Sequence, residues 1–139
     1  EILINSNYVG EKIELSNSKL LNEKVGSLKL DYGNIYLEDN DILFKGKFSF
    51  EVFDKKRFYR KFLVSKKNKK DLKKVYFGLI YNLSKSDAKI FFISLNDDKP
   101  EMSDNLDNLI YGFNNNSIRV NNWISLRSFI NKILSSYPG

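Results

Sequence analysis

The first half of the chain is a succession of short apolar runs separated by turn-forming residues, and this pattern limits the folds that it can adopt. The runs lie at 9–15, 27–31, 35–38 and 42–45, and the first of them partly alternates apolar with charged residues. Tyr32-Gly33-Asn34 and Asp39-Asn40-Asp41 lie between later runs and are good turn formers. Short strands joined by tight turns pair with their sequence neighbours, so this half predicts an antiparallel meander.

The next stretch predicts a β-hairpin over 47–64. Two runs rich in aromatic and β-branched residues, 47–54 and 57–65, are separated by Lys55-Lys56. If those two lysines form the turn, Glu51 lies opposite Arg60 in a favourable cross-strand pair. Aromatic residues occupy both faces of this hairpin, which predicts a central position covered on both sides.

Two later segments have the apolar spacing of amphipathic helices. In 69–83 apolar residues recur three and four apart, and Asn68 followed by Asp71 suits a helix N-terminus. The same stretch also suits a strand over 75–81, because it is rich in β-branched and aromatic residues. The stripe in 122–135 is stronger, and the chain after it contains Pro138-Gly139. We therefore predict helices near 69–83 and 122–135, the first with a strand as its alternative.

The remaining elements complete an α+β prediction. Residues 89–95 predict a buried strand, 96–108 a polar loop and 109–113 a further strand, so the fold is a mostly antiparallel sheet with two packed helices. A length of 139 residues is typical of one domain, and 1–139 is interpreted as a single domain. Since the chain begins with Glu1 instead of Met, we expect a fragment or the mature portion of a longer protein. The sequence contains no run of about 18 apolar residues that would predict a transmembrane segment.

The composition removes several kinds of chemistry. The chain has neither Cys nor His, which excludes thiolate metal sites, cysteine nucleophiles and the commonest general base near neutral pH. Catalysis would have to rely on carboxylates, Lys, Tyr or Ser. The sequence also lacks a glycine-rich phosphate loop. We therefore expect a non-enzymatic protein with no cofactor and no resident metal.

One enzyme hypothesis uses carboxylates near strand ends. Asp41, followed at hairpin distance by Asp54-Lys55-Lys56, loosely resembles the acidic and lysine residues of the PD-(D/E)xK nucleases. That resemblance implies Mg²⁺ bound at the ends of adjacent strands, with a Lys beside the attacking water. The sequence departs from the pattern because Asp54 falls in the predicted turn and Glu51 lacks the following Lys. Asp97-Asp98-Lys99 repeats the acid-to-Lys spacing in a predicted loop.

The positive charge is concentrated in one stretch, residues 55–74, which we call the basic segment. It holds eleven of the 23 Lys and Arg residues but one of the 17 acidic residues, so the rest of the chain is net negative. Its basic residues are Lys55, Lys56, Arg57, Arg60, Lys61, Lys66, Lys67, Lys69, Lys70, Lys73 and Lys74.

The predicted helix from Asn68 would crowd much of this charge at a helix N-terminus. The macrodipole disfavours cations there, whereas free backbone N–H groups beside ammonium groups suit a bound anion. We therefore predict that the basic segment binds an anion, with Tyr59 contributing a ring that stacks on unpaired bases. For this and the neighbouring aromatic residues, packing in the core is the alternative.

Three functional hypotheses follow. The first is a binding module for an anionic partner, which would be nucleic acid, an acidic lipid or an acidic protein surface. Lys outnumbers Arg nine to two in the basic segment, so contacts with nucleic acid would be mainly with phosphates. The second is a protein–protein interaction or assembly domain in which the basic segment is a solvated surface. The third is a Mg²⁺-dependent nuclease-like domain.

Overall fold

The computed structural model describes residues 1–96, 104–115 and 123–136, and these contain seven strands and three α-helices. In chain order the elements are β1 (Ile2–Leu3), β2 (Ser6–Val9), β3 (Lys12–Asn22), β4 (Gly26–Glu38), β5 (Asp41–Val52), α1 (Lys55–Lys61), β6 (Lys74–Asn82), β7 (Asp87–Leu95), α2 (Asp104–Asn115) and α3 (Trp123–Ser136). A turn of 3-10 helix covers Lys66–Asn68.

The strands form one antiparallel sheet, which confirms the α+β prediction. Their order is β1-β3-β4-β5-β6-β7, and β2 pairs with β3 beside β1. From β3 onwards each strand therefore pairs with the next strand along the chain, as expected of a meander. The strands of this meander are longer than the sequence runs suggested, since β4 and β5 span 13 and 12 residues.

The turn between β4 and β5 confirms one predicted turn, whereas the other predicted turn is wrong. Asp39 and Asn40 have φ angles of 49° and 67°, the left-handed backbone of a two-residue hairpin turn. Tyr32-Gly33-Asn34 instead continues β4. Gly33 lies opposite Gly46, and a Cβ at Gly46 would come within 2.6 Å of the Phe44 ring. These glycines allow close packing inside the sheet. Glycine is also common in turns, so the local sequence does not distinguish the two roles.

The hairpin predicted over 47–64 is wrong, because β5 ends at Val52 and a helix follows. The carboxylate of Asp54 accepts a hydrogen bond from the backbone N–H of Arg57 at 3.1 Å and caps α1. Glu51 lies opposite Lys74 of β6, not opposite Arg60. The strand that pairs with β5 on this side is thus β6, which follows α1 and the 3-10 turn in the chain.

The helix predicted over 69–83 is also wrong, and the alternative of a strand is what the structure shows. β6 lies between β5 and β7 and is hydrogen-bonded to both. It has apolar residues on both faces, as a central strand requires, and such residues also satisfy helical spacing. Gly78, a poor helix residue, leaves room for the ring of Phe91, which a Cβ would approach to 2.4 Å.

The C-terminal half contains one wrong prediction and two confirmed ones. The strand predicted over 109–113 lies within α2, whose first residues 104–108 also replace part of the predicted loop. The rest of that loop, 97–103, lies outside the described residues. The strand predicted over 89–95 is β7, and the helix predicted over 122–135 is α3.

The core lies between the helices and one face of the sheet, which we call the helix-covered face. Directly opposite residues share a face, so Leu28, Phe50, Val75 and Leu95 form one row across four strands. The ring of Phe58 lies 6.0 Å from that of Phe50, which places α1 on this face. The buried core includes residues of α1, β7, α2 and α3: Phe58, Tyr59, Ile90, Ile93, Ile110, Phe129, Ile133 and Leu134.

Helix α2 covers the free edge of the sheet at β7. The side chain of Asn114 accepts a hydrogen bond from the backbone N–H of Ile90 and donates one to its carbonyl, both at 2.8 Å. Pairing of this edge with another strand is blocked there. None of the helices in the described part of the chain is long and apolar enough to cross a membrane.

Candidate anion-binding surface

The basic segment forms most of the connection from β5 to β6, at one end of the sheet. It contains α1, the 3-10 turn and the extended residues that lead into β6, and Lys74 is the first residue of that strand. The residues after Asn68 therefore do not begin a helix. The argument that a helix dipole disfavours these lysines is wrong for 66–74, and any role of the segment must rest on its surface charge.

Uncharged side chains fix the basic segment to the body of the protein. Phe58, Tyr59, Val64 and Leu72 are buried in the core. Asn68 is also buried, and its side-chain amide donates to the carbonyl of residue 131 at 3.3 Å. Uncharged side chains in each part of the segment thus point inwards.

Two asparagines from other elements bind the backbone of this segment. Asn131 of α3 accepts from the N–H of Ser65 at 3.0 Å and donates to the carbonyls of Phe62 and Leu63 at 3.4 Å. Asn96, after β7, accepts from the N–H of Lys73 at 2.8 Å and donates to the carbonyl of residue 71 at 3.0 Å. The path of the connection is therefore held from both sides.

The cations of the segment point outwards. Nine of the eleven are exposed, while Lys70 and Lys74 are half-buried. Tyr59 is 7% exposed and its hydroxyl donates to the carbonyl of Lys70, so its ring is not offered for stacking. Core packing, the alternative for this aromatic, is what the structure shows. The structure therefore brings the predicted basic residues, but not Tyr59, onto one solvent-facing connection.

Two carboxylates neutralise part of this charge. Asp71 pairs with Lys55 and, at 3.7 Å, with Lys73, and Asp54 pairs with Arg57 at 3.2 Å. The hydrogen bond from Lys55 lowers the pKa of Asp71 and raises that of Lys55 itself. Within the described part of the chain, the following cations have no carboxylate within ion-pair distance: Lys56, Arg60, Lys66, Lys67, Lys69 and Lys70.

A second basic surface, which the sequence analysis missed, lies on the sheet face opposite the helix-covered one. We call it the open face. By strand register it carries Lys12, Lys19, Lys29, Lys45, Lys47, Lys74 and Lys89, together with the acidic residues Glu14, Glu38, Asp41, Glu51 and Asp87. Lys45 lies 5.2 Å from the Phe91 ring centroid and Lys74 lies 4.9 Å from that of Tyr76. The alternation in Lys45-Gly46-Lys47 is the local signal, but strand register was needed to see the surface.

The carboxylates of the nuclease hypothesis are not brought together. Asp41 and Asp54 flank opposite ends of β5, which at about 3.3 Å per residue separates them by roughly 40 Å. They cannot bind one metal ion. Asp97-Asp98-Lys99 lies outside the described residues, and within the described ones no three acidic groups are close enough to hold a metal.

Asp41 instead has a structural role at the far end of the sheet. Its carboxylate accepts a hydrogen bond from the side-chain amide of Asn82 at 2.9 Å and pairs with Lys85 at 2.9 Å. Hydrogen bonds from Asn82 and Lys85 hold its pKa below the ordinary value of 3.8. Asp41 thereby joins the start of β5 to the turn between β6 and β7.

An apolar cleft of about 400 Å³, partly open to solvent, lies between the helix-covered face and α3. The described part of the chain lines it with fifteen Leu, Ile, Val and Phe side chains from four strands, α3 and the basic segment. Phe58, Phe62 and Leu72 are the members from the basic segment.

Comparison of the chain with protein-family models, with curated proteins and with solved structures finds no match. Function must therefore be argued from the surface and the cleft themselves.

Proposed function

We propose that this is a non-enzymatic binding domain that contacts an anionic partner through the basic segment. The observation that carries the proposal is an anchored connection whose buried residues are uncharged and whose exposed residues are mostly cations. Six cations of the segment have no carboxylate within ion-pair distance in the described chain. Their mutual repulsion is relieved when an anion binds.

The anchoring matters because it lowers the entropic cost of binding. A loose lysine-rich loop would have to be ordered by its partner, which weakens affinity. Here Asn131, Asn96 and the buried Leu72 already hold the backbone. The flexible lysine side chains are then the main groups that lose freedom on contact.

The chemistry of the surface favours recognition of charge over recognition of sequence. Lysine is a point charge on a flexible stem, whereas planar bidentate recognition uses arginine. Tyr59 is buried, so base stacking does not come from this residue. A repeated anion, such as the phosphates of a nucleic acid or the head groups of an acidic lipid, suits these properties better than a single base or peptide motif.

The proposal is tested by measuring binding to a single-stranded oligonucleotide, to phosphatidylserine vesicles and to polyglutamate at increasing salt. At least one probe is expected to bind, with affinity falling steeply between about 50 and 200 mM salt. For the oligonucleotide the log–log slope is about −0.7 per neutralised phosphate. Absence of binding to all three, or binding insensitive to salt, rejects the proposal.

A matched pair of variants localises the contact. Reversing Lys66, Lys67 and Lys69 to Glu is expected to weaken binding at least tenfold, because each residue is exposed and outside any described ion pair. The control reverses Lys12, Lys45 and Lys89 on the open face, which changes net charge equally. Equal losses in both variants would indicate a general charge effect and contradict a site on the basic segment.

A second candidate function, assembly with another protein, is favoured by exposed apolar residues near the β1–β3 edge. Ile2, Leu3, Tyr8, Val9 and Leu20 are all largely exposed. Exposed apolar residues on an edge suit pairing with a partner strand. Light scattering distinguishes this function, since a salt-independent oligomer lost in Leu3→Lys would support it.

A further inference from the structure

We propose that the apolar cleft binds the hydrocarbon chain of a medium-chain fatty acid, with the carboxylate at the rim beside the basic segment. This inference deepens the proposed function by naming one anionic ligand, and its hydrocarbon part can be tested separately. It rests on the lining of the cleft, its size and direction, and the charge beside it.

The lining selects the chemistry of the buried part of the ligand. Every lining side chain within the described residues is Leu, Ile, Val or Phe, with no hydrogen-bonding group among them. A peptide backbone, a sugar or a nucleotide would bury polar groups there without partners, which is strongly unfavourable. Hydrocarbon has no such groups, and a volume of about 400 Å³ falls in the range of small-molecule sites.

The direction of the cleft favours an elongated chain. Its lining includes Leu28, Phe50, Val75 and Leu95, which are cross-strand neighbours from β4 to β7. Four strands at a spacing of about 4.8 Å extend over roughly 14 Å. Side chains of α3 line the other wall, so the cleft lies between the sheet and a helix and is long enough across the strands for an extended hydrocarbon chain.

The rim supplies positive charge. Seven of the fifteen described lining residues are half-buried, and Phe62 of the basic segment is one of them. Arg60 and Lys61 directly precede Phe62. A chain leaving the cleft past Phe62 therefore emerges at the basic segment, whose net positive charge favours a carboxylate head group.

The test is calorimetric titration of the whole chain with laurate below its micelle concentration. Saturable one-to-one binding is expected. Butyrate is expected to bind at least about a hundredfold more weakly, since each buried CH₂ contributes to affinity. Dodecyltrimethylammonium, with the same chain length and opposite charge, is expected to bind severalfold more weakly. No laurate binding, or binding equal to that of the cationic amphiphile, overturns the inference.

Variants that fill the cleft test its location. Ile130→Trp and Leu126→Trp place a large ring at two half-buried lining positions and are expected to reduce laurate affinity at least tenfold. Two positions are used in case one variant does not fold, which circular dichroism reports. The matched control is Leu43→Trp on the open face, outside the cleft. Laurate binding that is unchanged in both folded cleft variants overturns the inference.

The two proposals can fail separately. The oligonucleotide has no hydrocarbon chain, so it tests the basic segment alone. Loss of oligonucleotide binding when Lys66, Lys67 and Lys69 are changed to Glu bears on the proposed function and not on the cleft. An oligonucleotide or vesicle that binds while laurate does not overturns the cleft inference and leaves the basic segment supported. Laurate binding that is lost in the cleft variants supports the inference even if no polyanion binds.

Discussion

Asn131 of α3 accepts a hydrogen bond at 3.0 Å from the backbone N–H of Ser65, and so ties the C-terminal helix to the basic segment. The same side chain donates to two carbonyls of that segment and to the carbonyl of Arg127. The contacts of Asn131 with the basic segment connect residues 66 or more positions apart in the chain. The shape of the candidate surface therefore depends on the docking of α3.

Asn131→Ala is expected to destabilise the protein and loosen the basic segment. Removing the amide leaves the Ser65 N–H and the two carbonyls without this partner, at a cost of about 1–3 kcal/mol. Urea denaturation measures the loss, and hydrogen exchange is expected to quicken in 63–69. Lys132→Ala, at an exposed neighbouring position on α3, is the control and should change neither. Unchanged exchange in Asn131→Ala would show that the bond does not hold the segment.

Leu72 is expected to be a major anchor of the basic segment. It is 3% exposed, and Leu72→Ala should cost about 2–5 kcal/mol of unfolding free energy because it enlarges an apolar space already present beside it. Leu63, in the same segment, is 63% exposed, so Leu63→Ala should stay within about 0.5 kcal/mol. Chemical denaturation compares the two. A similar cost for both would mean that the segment is not packed as described.

Gly78 and Phe91 are expected to be energetically coupled. A Cβ at Gly78 would lie 2.4 Å from the Phe91 ring, so Gly78→Ala forces the ring to move and should cost about 1–3 kcal/mol. In a Phe91→Ala background the same change should cost much less, which a double-mutant cycle measures. Gly112 in α2 has no atom within 4 Å of an added Cβ, and Gly112→Ala should stabilise by about 0.5–1 kcal/mol. Additive effects of the 78 and 91 changes would contradict the close contact.

The protein is expected to lose stability in acid as Asp41 becomes protonated. Its pKa is lowered in the folded state by Asn82 and Lys85, so its stabilising effect is present above the ordinary value of 3.8. The effect is lost as the pH falls through the lowered folded-state pKa. Asp41→Asn should therefore lower the melting temperature at neutral pH, and the difference from the parent protein should shrink well below pH 3.8.

The control for that experiment is Glu38→Gln, an exposed acid in the same turn. It makes no ion pair within the described residues, so it should shift the melting temperature much less. The hydrogen bond that Lys85 donates to Asp41 raises the pKa of Lys85, whose contribution is present below the ordinary value of 10.5 and lost at higher pH. A pH-independent difference for Asp41→Asn would contradict the pairing.

Several elements could be read from local sequence because local physics decides them. The stripe of α3, the runs of β7 and the Asp39-Asn40 turn each satisfy their own backbone preferences. The segments 69–83 and 109–113 could not be assigned this way. Val75 to Tyr81 suits both a helix and a strand, and its position between β5 and β7 decides the outcome.

Some features of the candidate site likewise follow from the sequence, whereas others depend on the tertiary structure. The amount and the position of charge in 55–74 are properties of the sequence alone, as are the absence of His and Cys and the chemistry that this removes. Which side chains face solvent, the burial of Tyr59, the lysines of the open face and the apolar cleft were decided by the tertiary structure. The reason is that hydrogen bonding between strands and packing of helices join residues far apart in the chain. Those contacts outweigh the small differences in local preference between helix, strand and turn.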